Sequence, residues 1–248
     1  MATIADDIDF SNPDSSFVFF NSGQDSRRAC FFEDFEPNVR YLCSSLADLF
    51  PKLMSLVEVA NRSGSDQKRR ACHFYLYSYV NLVDSIKLLC DGYFPQSCNT
   101  LRVHLESVLT AILLSYQGSL ELVVEWKGGK AKRVKQIDYQ ERLYSKSKAK
   151  RLYPMNSFGL CVHNASKLKL DKSNLELLRK VKKHCSGYSH SSFENQTSTF
   201  FETGDDLQFG GGYSQHLKKQ TETVLAMQIG LAEANTKLFE HIRAQWVK

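Results

Sequence analysis

Between Ser97 and Tyr116 the chain carries its densest apolar stripe. Leu101, Leu105, Val108, Leu109, Ile112 and Leu113 recur at helical spacing and cover one wide side of a helix. A helix this apolar has to be covered by neighbours, so the rest of the chain must be built around it. The segment before it runs from Ser65 or Asp66, either of which can cap a helix N-terminus, to about Cys90. It repeats the pattern with Leu76, Val80, Val83, Ile86 and Leu89. Asp91-Gly92 then makes a tight turn, with Pro95 behind it, and the two segments read as an αα-hairpin. The expected fold is all-α, a helical bundle organised on that hairpin.

The flanking segments are expected to complete the bundle. Residues 1–34 read as an irregular N-terminal arm, with Asp, Ser, Asn and Gly breaking up Phe-rich pieces such as Phe17-Val-Phe-Phe20 and Phe31-Phe32. Those rings would be costly to leave in water, so the arm should pack on the body, with room for a short strand. Residues 35–248 read as a single helical domain. A helix is expected from Pro37 to Arg62, with Pro51 kinking or splitting it. Residues 119–155 read as a short helix from Leu120 to Trp126, a break at Gly128-Gly129 and a very basic helix. A connector follows around Asn156–Gly159. Another helix is expected over Asn174–Cys185, with Leu175, Leu178 and Val181 as its apolar strip, and a last one over Ser214–Trp246. A small β-hairpin is expected near residues 197–209, where Thr203-Gly-Asp-Asp206 separates two short apolar pieces.

The most apolar stretch, Val108–Leu114, is far short of the roughly 18–20 residues a spanning helix needs. The start, MATIADDIDF, is acidic and has no basic segment followed by an apolar one. Seven cysteines, none in a CxxC pair, read as reduced thiols. A cytoplasmic protein without membrane contact is therefore expected, and no metal or other cofactor.

Charge is unevenly placed. Residues 1–66 hold 11 acids and 5 bases, residues 127–151 hold 10 bases and 2 acids, and residues 167–183 hold 7 bases and 2 acids. The two basic blocks suit a polyanion, with Lys130, Lys132, Arg133 and Lys135 in the first and Lys180, Lys182 and Lys183 in the second as candidate nucleic-acid contacts. They equally suit solvated helix faces.

Three groups could carry chemistry. Arg179 and His184 are five residues apart, about 140° around a helix axis, and their long side chains can still converge on one phosphate. A histidine can move the 2′-hydroxyl proton of RNA and an arginine can stabilise the charge that builds on phosphorus oxygens, with no metal required. Next comes the polar cluster Tyr188, Ser189, His190 and Ser191. Its alternative is a helix C-terminus, with Gly187 as a left-handed cap and His190 serving the last carbonyls. The third is Arg102 and Glu106, four residues apart on the most apolar helix, expected as a buried polar pair that fixes register or faces the 186–192 loop. Phosphate-loop, dinucleotide, zinc-protease and serine-hydrolase signatures are missing.

Taken together, Leu101-Arg-Val-His-Leu-Glu106, the basic helix, Gly187-Tyr-Ser-His-Ser-Ser192 and the long last helix resemble a group of bacterial helical proteins with an L-R-x-x-L-E helix and an S-x-x-x-H segment. Over about residues 65–246 this is similar in layout to the HEPN superfamily (higher eukaryotes and prokaryotes nucleotide-binding). The resemblance implies an R-x4-6-H ribonuclease motif at Arg179 and His184, acting as a homodimer on RNA. It also implies an antiphage, toxin–antitoxin or abortive-infection setting with an antitoxin or defence-complex partner. Lys180 stands where that motif often has Asn, Asp or His. Two readings follow: a metal-independent endoribonuclease with Arg179, His184 and His190 as candidate catalytic groups, or a non-catalytic module binding RNA, nucleotide or protein.

Overall fold

A computed structural model describes residues 9–21, 26–127, 130–143, 157–188, 200–203, 206–209, 213 and 217–247. It is an all-α helical bundle. At its centre α3 (Asp66–Cys90) and α4 (Phe94–Ser115) form the expected antiparallel hairpin, the most extensive helix pair in the molecule. The Ser65 hydroxyl caps α3 by accepting from the Lys68 N–H, and Gly92 takes the positive φ of 80° that the turn requires. Pro95 sits in the first turn of α4, where its missing N–H has no helical partner to lose. All six residues of the α4 stripe are buried. On α3, Tyr75, Tyr79 and Leu82 take the core side while Leu76 and Val80 are half-buried.

The N-terminal expectation is corrected. Residues 13–21 form a helix, α1 (Pro13–Asn21), and α2 runs without a break over Ser26–Arg62. Asn12 starts α1: its Oδ1 accepts from the N–H groups of Asp14 and Ser15 at 2.9 and 3.4 Å, and Pro13 fills the first turn. The aromatic side chains do pack inward, with Phe10, Phe20, Phe31 and Phe32 buried. Pro37 and Pro51 both lie inside α2, which they neither start nor split. Both face solvent, where a carbonyl deprived of its N–H partner can bond to water.

The second correction lies at 120–137. The two helices expected there are an antiparallel hairpin, β1 (Leu120–Lys127) and β2 (Lys130–Ile137). Val123-Val124 favours strand, and only Gly128-Gly129 separates Lys127 from its partner Lys130, a hairpin spacing. The short α5 (Tyr139–Leu143) follows, then α6 (Ser157–His163) where a connector was expected, and α7 (Ala165–Leu168). A buried side chain helps to fasten the hairpin. Asn164 accepts the Glu121 N–H at 2.7 Å through Oδ1, and its Nδ2 donates to the carbonyls of Glu121 and Leu160, both at 2.9 Å.

Beyond it, α8 (Lys172–Tyr188) packs on α4, and α9 (Lys218–Trp246) lies along α2. Between them β3 (Phe200–Thr203) and β4 (Asp206–Phe209) pair antiparallel, as the sequence predicts for this stretch. No described helix is long and apolar enough to cross a membrane.

Two neutral polar networks sit inside the bundle. His104, on α4, donates from Nδ1 to the Ser78 carbonyl at 2.8 Å and accepts at Nε2 from the Asn235 amide at 3.2 Å. That pairing defines the neutral tautomer, and burial lowers the His104 pKa to about 4. Nearby, Ser85, Ser97 and Gln228 join α3, α4 and α9.

Candidate functional site

The face of α4 left uncovered by the hairpin carries Arg102, Glu106 and Thr110, spaced four apart so that they stack along the helix. Arg102 Nε donates to Glu106 Oε1 at 3.1 Å, so the expected pair forms. It is not buried: the two side chains are 31% and 50% exposed. The wide α4 stripe leaves one strip unoccupied, and the charges lie there. Buried polarity on α4 belongs instead to Ser97, His104 and Ser107.

Arg102 and Glu106 line a cleft of about 600 Å³ between α3, α4, α5, α6 and α8. Phe74 comes from α3, Tyr139 from α5, Ser157 and Phe158 from α6, and Lys182 from α8. The Lys182 ammonium lies 5.5 Å from the centroid of the Phe158 ring. Partial burial lowers its pKa, the nearby Glu106 carboxylate opposes that, and Arg102 adds to it. Thr110 donates to the Glu106 carbonyl at 2.9 Å and meets the Ser157 hydroxyl at 3.2 Å, joining α4 to α6. Two clusters singled out from the sequence, the α4 pair and the basic helix, thus meet in one concavity. Its aromatic walls were not anticipated. Phe74 and Phe158 are half-buried aromatics, and no local sequence signal marks such residues as cleft walls.

The Arg179 and His184 pair is not gathered. Arg179 points to solvent and is held by Glu176 through two bonds, Nε–Oε2 at 2.9 Å and Nη2–Oε1 at 2.8 Å. His184 is half-buried, 5.3 Å ring to ring from Tyr188, which packs edge-on against Phe94. Its Nε2 is buried with no hydrogen-bond partner among the described residues, and burial lowers its pKa, favouring the neutral ring. Gly187 lies within α8 and not at a left-handed cap. Ser189, His190 and Ser191 lie outside the described residues.

Of the candidate nucleic-acid contacts, Lys180 and Lys183 are exposed on α8, three residues apart on a shared face. Lys130, Lys132, Arg133 and Lys135 stand on β2, a strand where a helix was expected, and 144–151 lie outside the described residues. Among the described residues no three His, Cys, Asp or Glu side chains converge as a metal site. All seven cysteines are free, and only Cys30 is exposed. The chain matches no family model, no curated protein and no solved structure.

Proposed function

We propose that the protein is a non-catalytic helical module that binds single-stranded RNA, with a layout like that of HEPN proteins. The observation that carries the reading is the cleft in which Arg102 and Lys182 stand among Phe74, Phe158 and Tyr139, with Lys180 and Lys183 exposed on other faces of the same helix, α8. Cations track a phosphate backbone and aromatic walls accept unstacked bases. The test is titration of a labelled single-stranded RNA at two salt concentrations. Affinity should fall steeply with salt, because neutralised phosphates release counterions, and Lys180→Glu with Lys183→Glu should flatten that slope. Binding that ignores salt, or no binding at low salt, overturns the reading.

One observation favours a second reading, metal-independent RNA cleavage by a homodimer: the His184 Nε2 has no partner among the described residues, and burial favours the neutral ring that a general base requires. Arg179 would then have to exchange Glu176 for a phosphate. RNA cleavage that survives EDTA and falls about 10²–10⁴-fold in His184→Ala supports this reading. RNA left intact by the wild-type protein rejects it.

A further inference from the structure

We propose that the cleft receives one unstacked guanine of the bound RNA, and that the Glu106 carboxylate takes the N1–H and N2–H donors of its Watson–Crick edge. This rests on the RNA reading above and adds a base preference to it.

Among the described residues lining the cleft Glu106 is the one carboxylate; it is bonded to Arg102 and acts electrostatically on Lys182. A site for phosphate alone gains nothing from a carboxylate, which repels the phosphate at contact distance. A base edge is different. A carboxylate only accepts hydrogen bonds, and it offers two oxygens side by side. Guanine presents two adjacent donors, N1–H and N2–H, to such a group. Adenine and cytosine turn a ring-nitrogen lone pair toward it. Uracil offers one N–H between two carbonyl oxygens. Guanine O6 lies next to N1 and needs a donor there, and the Arg102 guanidinium and Lys182 ammonium line the same cleft as the carboxylate.

The surroundings fit a base. The i, i+4 bond from Arg102 Nε fixes the Glu106 carboxylate while leaving Oε2 outside that bond. Phe74, Phe158 and Tyr139 supply apolar surface for a planar ring, and Phe158 already has a cation near its ring face. A volume of about 600 Å³ holds a nucleotide and excludes a duplex, so the base must come from a single strand.

The probes are labelled oligouridylates carrying one central guanosine, inosine or adenosine, with an all-uridine control, titrated by fluorescence polarisation at fixed salt. The guanosine oligomer should bind about tenfold or more tighter than the control, the scale of a hydrogen bond to a charged acceptor. Inosine, which lacks only the N2 amino group, should lose much of that gain without any change to the protein. Glu106→Ala removes both acceptor oxygens and should abolish the preference while all-uridine binding is retained or improved, because a negative charge has been removed. Equal binding of the four oligomers by wild type, or a preference that survives Glu106→Ala, overturns the base assignment and leaves RNA binding standing. Failure of every oligomer to bind at low salt overturns RNA binding and the base assignment together.

Discussion

The two sides of α4 carry polar groups of opposite design. Toward α3 and α9, His104 is 1% exposed, uncharged, and bonded at both ring nitrogens to neutral partners. Toward the cleft, Arg102 and Glu106 are charged, paired with each other and open to water. One helix thus sorts its polar residues by charge between two environments. An imidazole can enter the core because a single tautomer satisfies both nitrogens, while a full ion pair is kept where solvent shares the burden of hydration. Stability should therefore depend on the first group and ligand binding on the second.

The sharpest way to break the contrast is His104→Ala. It empties a filled site and strips partners from Ser78 and Asn235, so a loss of about 3 kcal/mol or more is expected in urea unfolding. A loss below about 1 kcal/mol would mean that the network does not hold the hairpin to α9.

Acid should act on the same side. The His104 pKa is near 4 when folded and about 6.5 when unfolded, so the unfolded chain binds the extra proton between those values. The contribution is fully present above about pH 6.5 and is lost as pH falls toward 4, by up to about 3 kcal/mol. His184, also lowered by burial, should add in the same direction. Unfolding midpoints measured at pH 7 and pH 4.5 check this, and the part due to His104 should disappear in His104→Gln. A flat profile in the wild type would show that the buried ring can be protonated without disturbing the fold.

The cleft side should respond in the opposite sense. Glu106→Gln should change stability by less than about 1 kcal/mol, as expected for a solvent-shared ion pair. Lys182→Ala should likewise leave the thermal midpoint nearly unchanged while weakening RNA binding several-fold at low salt, through the loss of one phosphate contact. If either substitution lowers the midpoint as much as His104→Ala does, the two sides of α4 are not separate in role.

The hairpin of α3 and α4 was legible because its signals agree: helical periodicity, a cap at Ser65 and a glycine at the turn. The strands at 200–209 were legible for a similar reason, with turn residues between short apolar pieces. The N-terminal helix was missed because Asn12-Pro13-Asp14 reads as loop punctuation until it is seen as a cap, a proline and an acid at a helix start. The first hairpin was missed because its many lysines suggested a solvated helix, while Val123-Val124 and Gly128-Gly129 carried the stronger local preference. At the site, spacing alone found the Arg102–Glu106 pair but not its exposure, which depends on how much of α4 its neighbours cover. The aromatic walls come from three different helices, and only tertiary packing brings them together.

The Asn164 clasp has a consequence for how the molecule opens. Its amide reproduces the donor and acceptor of a peptide group, so β1 is bonded on one edge by β2 and at Glu121 by a side chain standing in for a strand. The hairpin is thereby latched at Glu121 to the junction of α6 and α7, where the Lys167 ammonium also meets the Glu121 carboxylate at 3.0 Å. Such a latch allows the hairpin to detach as a unit while the helices stay folded, at a fraction of the global unfolding free energy. In hydrogen exchange, Asn164→Ala should speed the amides of residues 120–127 together and leave those of α3 and α4 at their wild-type rates.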